Sequence, residues 1–420
     1  MIATTVFSWY NPNSWTIILL VLCRLIDGGP VRVIKNAFRN KYFVAFLIFV
    51  LIDAMGLLFT HNLAAGEGFV SKEASLVAIA LVFCGGQFAD AQDYRRLMTG
   101  YCLILTAACV YCLTRAVGHY QQLPGKEITV FFYHALSQPI GQNAVFFTVY
   151  MIFGLLFLLY HPLAMGLAPL WLRKSVQVIL LVFFTGFIVL LSSKLLLVEL
   201  LLILVTFVFQ RYYSKKNYVM LTMIGMGGIL IMAWIAISDN PVKKRYLDLE
   251  HGDISMIRQD TFNTNTVFNG AQIRLLQWRY ANQIMREPHA WIFGVTSGTC
   301  QDLLNAKYRE AHMFMGIPHT HRTGFTDYNF HNQYIETTVR TGIVGLAALL
   351  YICWLMIELA VRRGTAESGF TVLALLSICT VQSFLTMQHG VFAFAFMPLV
   401  LLSSPKRTPI PAPASVQSAA

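Results

Sequence analysis

Charged residues are scarce in this sequence. Only 12% of its 420 residues are Asp, Glu, Lys or Arg, whereas 56% are hydrophobic. A soluble protein usually carries about a quarter charged residues, so a soluble globular domain is excluded. Nearly uncharged runs such as 42–60 and 176–191 have the length that crosses the roughly 30 Å hydrocarbon core of a bilayer. The composition therefore predicts an all-α, polytopic transmembrane helix bundle.

A disulfide framework and a cleavable leader are also missing. Seven of the eight cysteines lie in apolar segments, and Cys300 stands alone in a polar one. There is no Cys-x-x-Cys pair, so the sequence gives no support for thiol redox chemistry. The first apolar stretch, 3–26, lacks a basic start and a small-residue cleavage site. We therefore expect no cleaved signal peptide.

Eleven apolar segments are candidate membrane spans, and the interruption of the first segment by Asn11-Pro12-Asn13 allows a count of eleven to twelve. They are 3–26, 42–60, 74–90, 97–117, 143–160, 176–192, 195–210, 218–238, 333–358, 370–388 and 390–404. This arrangement predicts about eight spans in 1–238, a large and mostly helical polar loop at 239–332, about three spans in 333–404, and a disordered tail at 405–420.

The net charge of +11 is distributed unevenly among the loops. Basic residues concentrate in alternate loops, for example Arg95 and Arg96, Arg173 and Lys174, and Arg362 and Arg363. Because basic loops face the cytoplasm, we expect the C-terminus inside and the 239–332 loop outside. The same distribution explains the basic charge without a nucleic-acid partner.

The polar loop carries most of the candidate chemistry. Residues 269–285 have the apolar spacing of an amphipathic helix, with 277 and 281 adjoining the apolar face, and they place Arg274 and Trp278 on one face. Two glycines, Gly294 and Gly298, permit a tight turn, and a second short helix is expected at about 300–312.

A group of histidines follows: His312, His319, His321 and His331. Their spacing fits no standard zinc pattern, and His331 stands out because it lies where the chain re-enters the bilayer.

Several charged residues lie at or within the predicted spans. Lys72 precedes the third span and Lys194 follows Ser192-Ser193 at a short outer turn. Each lysine could simply reach the lipid headgroups, or both could serve the loop on the same side. Asp53 should face a partner or a cavity, and Glu199 is interpreted as a structural counter-ion in preference to a proton relay. Glu336 and Arg340 have the spacing of a mutual salt bridge, and Gly342 and Gly345 should allow close helix packing.

These segments together resemble the O-antigen ligase and O-antigen polymerase superfamily. His331-Asn332-Gln333-Tyr334 followed by Gly342 and Gly345 resembles its His-Asn-x-Tyr…Gly-x-x-Gly motif. Arg274-x-x-x-Trp278-x-x-Ala281, followed by Gly294 and Gly298, resembles its Arg-x-x-x-Trp-x-x-Ala…Gly-x-Gly motif, although here the two glycines lie further apart. Ser192-Ser193-Lys194 resembles its serine-rich turn, where Arg is more common than Lys, and Lys72 matches a recurrent basic position.

The resemblance implies a bacterial inner-membrane glycosyltransferase without a metal or other cofactor, active at the periplasmic face. Its donor would be a glycan on undecaprenyl diphosphate, and its acceptor a hydroxyl of lipid A-core, as in lipopolysaccharide maturation. We expect His331 to act as general base and Arg274 to stabilise the departing diphosphate. Substrate-binding candidates are Lys72, Lys194, Arg322, His319, His321, Trp278 and Tyr334, although simple packing is an equal alternative for the aromatic residues.

Other functions remain open at this point. A repeat-unit polymerase or a protein O-oligosaccharyltransferase would carry the same motifs, because the acceptor leaves no signature in one sequence. A transporter of a lipid-linked glycan or small anion is a different class, and it should show internal repeats and polar residues at the bilayer midplane. No repeat is evident, and the polar residues gather at one face. This pattern favours chemistry at the membrane surface over transport.

Overall fold

The computed structural model describes residues 1–86, 90–166, 168–213, 216–220, 254–286, 290–317, 324–326 and 328–403, with isolated residues between 222 and 243. The described part is α-helical, with short 3₁₀ turns and no β-strand. The all-α prediction is confirmed. The helices before the polar loop are α1 Ile2–Val6, α2 Tyr10–Gly28, α3 Pro30–Phe38, α4 Lys41–Gly56, α5 Leu63–Cys84, α6 Ala91–Gln122, α7 Tyr133–Ser137, α8 Ala144–Tyr160, α9 Leu170–Leu191 and α10 Lys194–Tyr212.

Among the described residues, six further helices lie in the polar loop and beyond it. They are α11 Gly270–Ile284, α12 Ala290–Phe293, α13 Ser297–Glu310, α14 Gln333–Arg363, α15 Ala366–Val381 and α16 Gln388–Ser403. Helices α11 and α13 correspond to the two helices expected in the loop. Their apolar faces meet in a small core of their own, which includes Leu276, Tyr280, Leu304 and Tyr308. The loop is therefore a packed unit that covers one end of the bundle.

Four described helices, α6, α9, α10 and α14, are long and apolar enough to cross a membrane, and the bent pair of 133–140 and α8 adds a fifth. The outer faces of these helices expose large apolar side chains, such as Val182 at 70%. Such faces suit contact with lipid. The chain is a multi-pass membrane protein. Ten of the eleven expected spans coincide with described helices, and the span at 218–238 lies mostly outside the described residues.

Helix α5 begins eleven residues before the third expected span, which was placed at 74. The side chain of Asn62 caps its start by accepting a hydrogen bond from the Ala65 N–H. Residues 63–73 then continue as helix, because they contain no proline and because leucine, alanine and glutamate favour a helix and offset Gly66 and Gly68. The prediction that Lys72 precedes the helix of the third span is wrong. Lys72 and Glu73 both belong to the helix, and Glu73 is fully buried.

Helix α14 is broken at Gly342, whose backbone has φ +65° and ψ −164°. A β-carbon at this position would lie 2.1 Å from the carbonyl oxygen of Ile292. The break leaves helical carbonyls of Val339 and Arg340 unpaired, and the N–H groups of Val295 and Thr296 donate to them at 2.8 and 3.0 Å. Gly342 therefore does more than allow close packing, because it ends the outer segment of α14 against the polar loop.

A buried ion cluster fastens this outer segment to the bundle. The Arg340 Nη2 lies 2.5 Å from Asp53 Oδ2 and 2.9 Å from Glu73 Oε1, and its Nε donates to the Ser297 hydroxyl at 2.8 Å. Ser297 in turn donates to Asp53. The expected partner of Asp53 is therefore Arg340. The prediction of a Glu336–Arg340 salt bridge is wrong, because Glu336 instead accepts hydrogen bonds from Ser383 Oγ at 2.9 Å and Phe330 N at 3.3 Å.

Candidate functional site

A cavity of about 1440 Å³ opens between the polar loop and the outer ends of the helices. Its wall combines the start of α10, the first turns of α11, the segment before α14 and the end of α15. The sequence candidates that line it are Lys194, Arg274, Trp278 and His331. Residues from distant parts of the chain therefore face one space. No cluster of three or more metal-ligating side chains occurs among the residues that the structure describes.

His331 is held in an unusual backbone conformation beside this cavity. Its φ is +48°, which an L residue rarely adopts. The side-chain oxygen of Asn329 accepts a hydrogen bond from the His331 N–H at 3.0 Å and thereby supports the turn. Burial, and then the nearby positive charge of Arg274, lower the pKa of His331 from 6.5 to about 4. The imidazole is therefore neutral at physiological pH, as a proton acceptor must be.

Arg274 is positioned by the first turn of α11. Asn269 and Gln272 form a capping box at the start of this helix, so its position is fixed at the N-terminus. The guanidinium then donates from Nη1 to the Gly270 carbonyl at 2.6 Å and from Nε to the Val381 carbonyl at 3.2 Å, at the end of α15. These bonds connect the loop to the bundle and aim a permanent positive charge along the cavity wall.

Trp278 lies one helical turn after Arg274 and holds the backbone next to His331 in place. Its indole Nε1 donates to the carbonyl of Phe330 at 3.1 Å, immediately before His331. The expected common face of Arg274 and Trp278 is confirmed, because both line the cavity. The indole N–H is engaged by the backbone, so the polar end of Trp278 positions the chain and its ring borders the cavity.

Lys194 is the first residue of α10, at the mouth of the same cavity. Ser192 precedes it with φ +48°, which turns the chain sharply from α9 into α10. Glu199 lies below it on α10 and is 4% exposed. Neither carboxylate oxygen of Glu199 has a hydrogen-bond partner in the described part of the chain. The interpretation of Glu199 as a structural counter-ion stays a prediction.

Two other sequence candidates do not line the cavity. The Lys72 Nζ donates to the Thr386 carbonyl at 3.4 Å and lies 5.2 Å from the centre of the Phe69 ring. The Thr386 hydroxyl accepts from Asn329 Nδ2 at 3.4 Å, so Thr386 links Lys72 to the segment before His331. Tyr334 donates from its hydroxyl to the Leu376 carbonyl and packs against α15. His319, His321 and Arg322 lie outside the described residues.

A row of aromatic rings leads along the loop to the histidine. The ring centres of Phe262 and Phe268 are 5.0 Å apart, those of Phe268 and Phe325 5.6 Å, those of Phe325 and Tyr328 5.4 Å, and those of Tyr328 and His331 5.6 Å. Three of these rings, Phe268, Phe325 and Tyr328, line the cavity. Flat apolar faces next to hydrogen-bonding groups are suited to carbohydrate rings, which present an apolar face and a polar rim.

Sequence reasoning missed Gln277, whose side chain contacts the His331 ring directly. Gln277 Oε1 lies 3.1 Å from His331 Nδ1, and the side chain of Gln277 is fully buried. One indication was present in the sequence, because residue 277 is polar and adjoins the apolar face of the predicted amphipathic helix. A buried amide needs hydrogen-bond partners, so a glutamine at this position can orient a neighbouring site residue.

A family model matches part of this chain. Residues 179–350 match the family model described as O-antigen ligase. The matched segment runs from α9 into α14 and contains Lys194, Arg274, Trp278 and His331, whereas Lys72 and Asp53 lie outside it. No curated protein matches the chain.

Proposed function

Because the chain belongs to the O-antigen ligase superfamily, we propose that it transfers a glycan from undecaprenyl diphosphate to a hydroxyl of a lipid acceptor, lipid A-core. Glycan transfer of the ligase or polymerase type is the general activity that the family match supports. The observation that carries the specific proposal is that two cationic side chains and a neutral histidine line one large cavity.

Transfer needs an activated nucleophile and a stabilised leaving group. The acceptor hydroxyl oxygen forms a bond to the anomeric carbon of the donor sugar while the bond from that carbon to the diphosphate oxygen breaks. The hydroxyl proton passes to the unprotonated nitrogen of His331. The electron pair of the broken bond stays on the diphosphate, where Arg274 and Lys194 stabilise the added charge. Atoms and charge balance without a further reactant.

Arg274 makes the pKa of His331 depend on whether the donor is bound. In the free protein the guanidinium opposes protonation of His331 and contributes to its low pKa of about 4. A bound diphosphate places negative charge against the guanidinium and offsets this repulsion. The pKa of His331 therefore rises toward neutrality when the donor is bound, and His331 becomes a better proton acceptor when the leaving group is in place.

The size and lining of the cavity support two substrates. Its volume of about 1440 Å³ exceeds the roughly 300–1,000 Å³ of a typical small-ligand pocket. The aromatic row offers stacking surfaces, and the position at the outer helix ends lets a lipid tail remain in the bilayer. The basic loops on the opposite side orient this cavity to the periplasm of a bacterial inner membrane, with the C-terminus in the cytoplasm.

A reconstituted transfer assay tests the proposal. Purified protein receives the undecaprenyl-diphosphate-linked glycan together with lipid A-core, with a second donor molecule or with an acceptor peptide, and the extended product is identified. We expect core lipid to be extended. Extension of the second donor identifies a polymerase, extension of the peptide identifies a protein transferase, and movement of an unchanged donor across the membrane identifies a transporter.

Variants test the assigned residues. We expect His331→Ala and Arg274→Ala to abolish transfer while the protein still folds and inserts. His312→Ala and Arg279→Ala are matched controls, because neither side chain lines the cavity and Arg279 instead pairs with Asp260. Wild-type activity in either site variant would remove that residue from the mechanism.

A further inference from the structure

A line of hydrogen bonds runs from the backbone of the aromatic row to the ring of His331. The Tyr308 hydroxyl lies 3.1 Å from the Tyr328 carbonyl oxygen, the Gln277 Nε2 lies 3.0 Å from the Tyr308 hydroxyl, and the Gln277 Oε1 lies 3.1 Å from His331 Nδ1. Gln277 and Tyr308 are both fully buried. Three helical or loop segments are joined in this way behind the cavity wall.

The direction of these bonds follows from the first acceptor. A backbone carbonyl can only accept, so the Tyr308 hydroxyl donates its single proton to Tyr328. Its oxygen then accepts from the Gln277 amide nitrogen, which orients the amide and turns Oε1 toward His331. Burial raises the pKa of Tyr308 well above its ordinary value, so the hydroxyl keeps the proton that it donates.

The His331 Nδ1 therefore faces two oxygens that can only accept. One is Gln277 Oε1, and the other is the Asn329 carbonyl at 3.0 Å. Nδ1 must carry the proton of the neutral ring, which leaves a lone pair on Nε2. Nε2 has no hydrogen-bond partner among the described residues.

We propose that Gln277, oriented by Tyr308, is a positioning residue that holds His331 in the Nδ1–H tautomer and so makes Nε2 the atom that receives the acceptor proton. This inference rests on the proposed role of His331 as base. As Nε2 takes the proton, positive charge develops on the ring, and the bond from Nδ1–H to Gln277 becomes charge-assisted. Gln277 thus acts on the transition state without touching the substrate.

Other charged and titratable groups lie around the histidine, and besides burial Arg274 is the one that lowers its pKa. They are Arg274 on α11, Lys194 on α10, Tyr328 beside the ring, Glu336 on α14 through Phe330, and Lys72 on α5 through Thr386. The hydrogen bonds at Nδ1 are those with Gln277 and the Asn329 carbonyl. A substitution at Gln277 therefore changes the environment of Nδ1 while leaving these groups in place.

The pH dependence of transfer tests the inference. Gln277→Glu places a carboxylate at Nδ1 and stabilises the protonated ring. An opposite charge at this range raises a pKa by about 1–3 units, so the acid limb of kcat/KM moves to higher pH by at least about one unit. Gln283→Glu makes the same chemical change on the same helix, but Gln283 is not a hydrogen-bond partner of the His331 ring, and we expect it to leave the acid limb unchanged.

Two further variants cover the case in which the new carboxylate prevents folding. Gln277→Leu removes the amide with little change in volume, and we expect kcat to fall about tenfold with KM for the donor unchanged, the loss of one hydrogen bond to a developing charge. Tyr308→Phe frees the amide to turn its NH₂ group toward Nδ1, and we expect a smaller loss of kcat. A change in KM alone would contradict the positioning role.

Nitrogen-15 NMR gives a readout that is independent of activity. The sequence has eleven histidines, and the signals of His331 are those lost from ¹⁵N-histidine-labelled His331→Asn protein. We expect the Nδ1–H tautomer in the wild type and a mixture in Tyr308→Phe. An Nε2–H tautomer in the wild type, or an unmoved acid limb in folded Gln277→Glu, overturns the inference. Full activity of His331→Ala instead overturns the assignment of the base.

Discussion

Replacing Arg340 with methionine should destabilise the protein more than any single change among its acidic partners. The Arg340 side chain is 3% exposed, and those of Asp53 and Glu73 are 2% and 0% exposed. Arg340→Met leaves two buried carboxylates without a counter-charge. Breaking a buried pair in this way costs about 3–5 kcal/mol of the free energy of unfolding.

Neutralising one carboxylate should have a smaller effect. Asp53→Asn leaves Arg340 with Glu73, a balanced pair, and the amide oxygen can still accept from the guanidinium. We expect a loss of about 1–2 kcal/mol for the weakened hydrogen bonds. The triple variant Arg340→Met, Asp53→Asn, Glu73→Gln carries no buried charge in the cluster, and it should be more stable than Arg340→Met alone.

The measurement is the free energy of unfolding of each purified variant by denaturant titration in one detergent. Arg362→Met is the control, because the Arg362 side chain is 67% exposed and pairs with Glu358 at the surface; its loss should be below about 1 kcal/mol. The reasoning is refuted if Arg340→Met costs no more than Arg362→Met, or if the triple variant is less stable than the single one.

Three further predictions concern the loop and its junction with the bundle. Gly342→Ala should destabilise the protein by at least about 2 kcal/mol, because its φ of +65° and the Ile292 carbonyl exclude a β-carbon; Gly186→Ala, where a β-carbon meets nothing within 4 Å, should be neutral or slightly stabilising. Cys300 should resist thiol-specific reagents in the folded protein and react only after denaturation, because burial raises its pKa well above the ordinary value. The folded pKa of His331, about 4, lies below its ordinary value of 6.5, so the unfolded chain binds more protons between these values. Stability should therefore fall as pH drops from 6.5 to 4, by at most about 1.4 kcal/mol per pH unit for this group, and His331→Gln should show a shallower dependence in the same titration; an unchanged slope would contradict it.

Local pattern accounts for much of the fold and for part of the site. Apolar runs longer than a soluble helix needs predicted the all-α membrane bundle, and the spacing of apolar residues in 269–285 predicted the helix observed at 270–284. The same helix put Arg274 and Trp278 on one face, because a helix brings residues four apart together wherever it lies. The change from polar loop to apolar helix identified the junction at His331.

Predictions failed where a distant residue competes with a local one. The spacing of Glu336 and Arg340 allows a salt bridge, but Asp53 and Glu73 approach Arg340 from two other helices. The start of α5 was misplaced because hydropathy finds the apolar part of a helix and not its polar first turns. The role of Gln277 could not be predicted from local sequence, because it depends on hydrogen bonds to Tyr308 and His331, which lie 31 and 54 residues away.

The sequence by itself determined that this chain enters the membrane repeatedly, which segment is the polar loop and which residue types could bind a diphosphate. These properties follow from hydrophobicity and helix periodicity, which act over neighbouring residues. Only the tertiary structure decided that Lys194 joins Arg274 and His331 at one cavity while Lys72 contacts Thr386 behind it. It also decided which nitrogen of His331 is free. Both depend on contacts between distant segments, and no local pattern encodes those distances.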